Sequence, residues 1–168
     1  MSAEVLPGLP ASGEAPEHYH RGHPTPWTEG YVVRFQLADG SRPVGNFQAG
    51  DSYFSATDTW PEAERLIVVA RGAFYLVSLV DAMSYVFGPN TATGYLLTER
   101  RDLLLVADYT DLSAYEPTGT LRWCRQLLGI DGVVPTEIDA DVVLGRACSD
   151  PPDGWFHFRV RLSDGADA

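Results

Sequence analysis

An antiparallel, mostly β chain follows from three features of the sequence. Apolar residues recur at every second position over several stretches, short unbroken apolar runs stand between them, and Gly, Pro and Asp punctuate both. A strand presents alternate residues to opposite faces, so period two marks a sheet with one wet face. An unbroken run marks a strand covered on both faces. The 168 residues, with 16 Gly and 12 Pro, suffice for one core and not for two ordinary domains once a Pro-rich leader is set aside.

Residues 1–26 hold five prolines: Pro7, Pro10, Pro16, Pro24 and Pro26. Proline has no amide donor and restricts its preceding neighbour, which predicts an extended, mobile leader over 1–26. A single β domain over 27–168 then begins near Trp27. Tyr31, Val33, Phe35 and Leu37 alternate with Val32, Arg34 and Gln36 until the turn at Ala38-Asp39-Gly40. Helical signals are confined to residues 58–65, with Thr59 as cap and Pro61 early in the turn, and to residues 81–87. Leu66 to Ala70, Ala73 to Val80 and Leu103 to Ala107 are short apolar runs suited to central strands. Thr120 to Leu128 places Leu121 and Trp123 on one face, which predicts a buried Trp123. Ile138 to Leu144 makes one strand closing at Gly145. Phe156, Phe158, Val160 and Leu162 alternate with His157, Arg159 and Arg161 before the turn Ser163-Asp164-Gly165.

These runs repeat. Leu66 to Ala70 followed by Phe74 to Val77 has an echo in Leu103 to Ala107 followed by Leu112 to Tyr115, Pro117-Thr118-Gly119 and Trp123. A third version runs from Val142 to Gly145 and on through Phe156 to Gly165, with 37 to 39 residues from unit to unit. Such a period marks an architecture whose unit cannot bury its own face. The pattern resembles the blades of quinoprotein-type β-propellers over residues 66–165, with Leu103 to Trp123 the best match. The resemblance implies a sheet architecture of three to four blade-like units of about 37 residues. It carries over no functional residue and no cofactor. A complete propeller needs at least four blades, so a sandwich and an incomplete propeller both remain open.

Charge narrows the partners. Twelve basic residues, all Arg, face 23 acidic ones, for a formal net charge of −11. A field of this sign repels phosphate backbones and anionic lipid, which predicts no nucleic-acid and no membrane partner and favours a basic protein. The lack of Lys points to the base composition of a GC-rich bacterial genome. The first 27 residues show no basic segment leading into an apolar one, which predicts a cytoplasmic protein with Cys124 and Cys148 reduced.

Four histidines come first among chemical candidates. His18, His20 and His23 follow Glu17 at a spacing that lets imidazoles converge on a transition metal, although a Pro-rich leader offers no rigid shell to hold one. His157 shares the polar face of the last strand with Arg159 and Arg161, whose charges disfavour its protonated form. No Gly-rich phosphate loop, nucleophile elbow or paired-cysteine motif occurs, and no cofactor is expected. Aromatic residues in loops are the remaining candidates, since they commonly anchor interfaces. Trp60, Tyr109, Tyr115 and Trp155 are the ones singled out for binding, the last held by the stiff tip Asp150-Pro151-Pro152-Asp153-Gly154. Together these features predict a non-enzymatic acidic protein-binding module, such as an inhibitor, an immunity-like protein or an accessory subunit. The alternative is a small-ligand binder or hydrolase-type enzyme with its site on the face of His157, Arg159 and Arg161.

Overall fold

The computed structural model describes residues 2–22 and 28–168, which form fifteen strands and one 3-10 turn, with no α-helix among them. The chain divides into two compact units, Met1–Thr91 and Ala92–Ala168. The sequence places its boundary elsewhere, between a leader over 1–26 and one domain over 27–168. Trp27, read as the start of the domain, lies outside the described residues.

The first unit is a sandwich of two four-stranded sheets. One sheet has the order β1-β3-β4-β2, built from β1 (Ala3–Val5), β2 (Glu17–Tyr19), β3 (Tyr31–Phe35) and β4 (Val44–Phe47). The hairpin β3–β4 sits between two short strands of the Pro-rich stretch: β1 pairs antiparallel with β3, and β2 parallel with β4. The stretch expected to be mobile is therefore paired where its prolines are absent. Its Tyr19 is 2% exposed and stacks on Phe47 at 4.3 Å, so apolar burial outweighs the local disfavour of proline.

The second sheet is a meander, β5 (Ala56–Trp60), β6 (Arg65–Ala70), β7 (Ala73–Ser78) and β8 (Tyr85–Phe87). Leu66, Val68, Tyr75 and Val77 meet Tyr19, Val33, Phe35 and Phe47 of the first sheet in one core. Ile67, Val69, Phe74 and Leu76 point to the opposite face and are equally buried, which explains why β6 and β7 show no alternation. Of the expected helical turn, the 3-10 turn Pro61–Ala63 remains. Thr59 pairs with Leu66 inside the hairpin and does not cap it. Residues 81–84 form a turn that leads into β8.

The second unit is a sandwich of a four-stranded and a three-stranded sheet. The meander β9 (Gly94–Leu97), β10 (Leu104–Ala107), β11 (Leu112–Tyr115) and β12 (Leu121–Arg125) faces β13 (Val133–Asp139), β14 (Val142–Cys148) and β15 (Trp155–Arg161). Leu105, Leu112, Val143, Phe158 and Val160 belong to their common core. Ile138 to Leu144 is not one strand. It is a hairpin with Asp139 paired to Val142, turning at Ala140 with φ +51°. The signal was missing because Ala occupies a left-handed position that glycine usually marks. Gly145 lies within β14 and ends nothing.

A bulge corrects the reading of β12. Ala114 pairs with Trp123 and Tyr115 with Leu121, so Arg122 is the extra residue and Leu121 and Trp123 face opposite ways. Leu121 is 49% exposed. Trp123 is half-buried, with its indole N–H donating to Leu162 O at 2.9 Å. The three meandering sheets begin at Ala56, Gly94 and Val133, intervals of 38 and 39 residues.

Candidate functional site

Alternation along β15 divides its side chains. Phe158 and Val160 enter the core, while Trp155, His157, Arg159 and Arg161 point outward and are exposed. The neighbouring strand supplies what linear reading missed: Arg146 lies directly opposite His157, Leu144 opposite Arg159 and Val142 opposite Arg161. Only the register of β14 brings Arg146 there, since the two strands meet through a hairpin whose length the sequence does not specify.

Trp155 is 43% exposed and held on two sides. The Arg146 guanidinium lies 5.7 Å from its ring centre, and a methyl on Gly132 would stand 3.0 Å from its Cη2. The indole thus rests on a main chain that glycine keeps bare, with a cation over the ring. Ile130, 58% exposed, donates its N–H to Cys148 O at 2.7 Å, and Cys148 is the direct partner of Trp155. With Phe156 at 40% exposure, this end of the sheet presents apolar surface beside positive charge.

The charges are not equivalent. Arg161 spends its fork on Asp164, with Nε 3.2 Å and Nη2 2.8 Å from the two carboxylate oxygens. That hydrogen bonding holds the Asp164 carboxyl below the usual carboxylate range and raises the guanidinium. The side chains of His157 and Arg159 make no polar contact with the described residues. On the same face the β13 carboxylates Glu137 and Asp139 stand opposite Leu144 and Val142, two strand spacings or about 10 Å from β15.

Two of the expected loop anchors are core residues. Trp60 ends β5 at 0% exposure and Tyr115 ends β11 at 6%, each the last residue of its strand and not part of the loop that follows. Tyr109 is half-buried, and its carbonyl accepts the Gly132 N–H at 2.8 Å, which fixes the loop beneath Trp155. His18 is exposed in β2 with its Nδ1 3.3 Å from Asn46 Nδ2, His20 follows the strand with its Nδ1 buried, and His23 lies outside the described residues. No group of three or more metal-ligating side chains occurs among the described residues. Cys124 is an exposed free thiol, Cys148 a buried one. Desolvation pushes the Cys124 thiol up despite a hydrogen bond to Ser113, and the Asp111 carboxylate adds to the shift, the reverse of what an activated nucleophile needs.

Two open clefts lie in the first unit. One is lined by Arg21, Gln48, Asp51, Phe87 and Asn90, the other by residues 6–10 and Arg34. Neither includes a residue of the β15 face. No helix among the described residues is long and apolar enough to cross a membrane.

No protein-family model and no curated protein matches the chain.

Proposed function

We propose that this chain is a non-enzymatic protein-binding module that docks through the outer face of β14 and β15. The observation that carries this reading is Trp155, fixed by Arg146 and Gly132 before any partner arrives yet 43% exposed. An immobilised indole loses little further freedom on binding, and Trp, Tyr and Arg dominate the energetics of interfaces. Ile130 beside it adds apolar surface, and Arg146, His157 and Arg159 rim it on the same face. The net charge of −11 favours approach of a cationic protein, whereas the seat itself is cationic. Local sign governs contact within a Debye length of about 8 Å at physiological salt, so the segment seated here carries carboxylates.

An inhibitor or accessory subunit in the bacterial cytoplasm is the form of this function that we favour. The regular starts of the meanders at Ala56, Gly94 and Val133 support a blade-like reading of strand order alongside it. The second reading, a small-ligand or hydrolase site, has the unpartnered His157 and Arg159 behind it. Against it, their sheet face is open and Arg161 is committed to Asp164.

The test is Trp155→Ala in affinity capture from the native cell, with dissociation of the captured protein followed in real time. Losing a hot-spot Trp costs ~2 kcal/mol or more, about thirtyfold in off-rate, with folding intact. Unchanged capture and off-rate, or a hydrolytic activity abolished by His157→Gln, would overturn the reading.

A further inference from the structure

The outer face of the sheet β13-β14-β15 carries its charges in rows. Register fixes them: Glu137, Leu144 and Arg159 stand abreast across the three strands, and Asp139, Val142 and Arg161 form the next row. The bulge after Pro135 inserts Thr136, so Val134 and Glu137 both point outward although an odd number of residues separates them. One margin of the face is therefore acidic and the other cationic, with the half-buried Leu144 and Val142 between them. Glu137, Asp139 and Arg159 take part in no salt bridge among the described residues. Within one copy the two margins lie two strand spacings apart, about 10 Å, across an apolar strip.

We propose, building on the docking reading above, that the occupant of this face is a second copy of the chain, related by a two-fold axis lying between the copies along β14. The cationic seat calls for a segment that carries carboxylates, and β13 of this same chain is one. Stacked sheets sit about 10 Å apart with their strands roughly aligned. Rotation about this axis keeps each row at its place along the strands and exchanges its two ends, so β13 of one copy lies over β15 of the other. Glu137 then meets Arg159 of the second copy, and by symmetry the pair forms twice. Leu144 and Val142 pack against their own images and keep water from the pairs. Asp139 meets Arg161, but that guanidinium already holds Asp164, so the Glu137 pairs carry the contact. Arg146 faces its own image near the axis, and its guanidinium leans away over Trp155, 5.7 Å from the ring centre. An axis across the strands would instead set β15 on β15, like charge on like charge.

Sedimentation equilibrium of the full chain tests this at an ionic strength near 0.15 M, where long-range repulsion between two copies of net charge −11 is largely screened. A face three strands wide is small for a specific interface, so we expect a reversible dimer with a Kd of roughly 10–100 μM. Glu137→Arg and Arg159→Glu, both at exposed positions, should each weaken self-association about tenfold or more without moving the melting temperature, because each reversal acts at two places. Mixed in equal amounts, the two variants should pair with each other about as tightly as the parent does, since every facing pair is again of opposite sign. A chain still monomeric at about 1 mM, reversals without effect, or variants that stay apart when mixed would overturn the proposal. If the chain stays monomeric while Trp155→Ala still releases a captured protein, self-pairing falls and the docking face stands.

Discussion

Replacing Gly145 by Ala puts a methyl group where the second unit has no room. Gly145 lies opposite Phe158 within β14–β15, and a Cβ there would fall 2.4 Å from Phe158 Cζ and 2.5 Å from the Val134 carbonyl oxygen. Carbon atoms make their best contact near 3.5–4.0 Å, so the ring approach is short by about 1 Å. Neither obstacle can withdraw freely. Phe158 is 5% exposed and packs in the core with Val133, Val143, Ala147 and Val160. Val134 belongs to β13, which is paired along its length with β14. Overpacking of this kind costs ~1–3 kcal/mol, and the stiffer unfolded chain returns only a few tenths to 1 kcal/mol. A net loss near 2 kcal/mol in a unit of this size lowers its transition by about 8–16 °C. Calorimetry of parent and variant reads this directly. Phe158→Ala alone removes ~3–5 kcal/mol. In the double variant the ring clash disappears while the Val134 oxygen remains, so the combined loss should fall short of the sum by ~1 kcal/mol. A Gly145→Ala variant melting within a degree or two of the parent, or strict additivity in the double variant, would refute the packing argument.

Two further outcomes follow from the first unit. Tyr19→Ala removes a ring stacked on Phe47 at 4.3 Å and edge-on to Tyr85 at 5.2 Å, together with the Tyr19 hydroxyl that donates to Ala82 O at 2.9 Å, and should cost ~3–5 kcal/mol in urea unfolding. A loss within 0.5 kcal/mol, the ordinary range for a surface substitution, would mean that residues 17–19 contribute little to the packing. Burial pushes the Tyr75 phenol up to about 12, and that of Tyr19 higher still. Since both folded values lie above the ordinary value near 10, their contribution is intact below pH ~10 and is lost as pH rises through about 12. Tyrosinate absorbance should show two of the eight tyrosines ionising only as the unit unfolds. A single titration of all eight near pH 10 in the folded state would contradict this.

The strands on which burial is one-sided were legible in the sequence. Residues 155–161 alternate because one face is wet, whereas the alternation over 31–35 hid the burial of Val32, and residues 66–70, residues 73–77 and β10 are apolar because both faces are covered. What remained hidden depended on partners distant in the chain. β1 and β2 have no pattern of their own and exist because the hairpin β3–β4 offers two edges. The β13–β14 turn is made by Ala140, and the β12 bulge flips Leu121 away from Trp123, neither with a glycine to announce it. The candidate site was half visible. His157, Arg159, Arg161 and Trp155 share a strand, but Arg146 reaches them through register and Gly132 through a loop. Trp60 and Tyr115 misled because each is the last residue of a strand, where packing across the sandwich and not the local sequence sets burial.

The clasp of β1 and β2 around β3–β4 has a consequence for the order of assembly. Ala3 pairs with Phe35 and Glu17 with Gly45, so each of these strands has no partner until some thirty further residues have followed. The hairpin β3–β4, whose Arg34 and Val44 are near in sequence, closes at little entropic cost and supplies the template. The segment from β1 to β2 runs from one side of the hairpin to the other, so it is expected to settle into the sheet after the hairpin has formed. Tethering residues 3–19 away from the hairpin should delay the ordering of Tyr19 against Phe47 without delaying the hairpin itself.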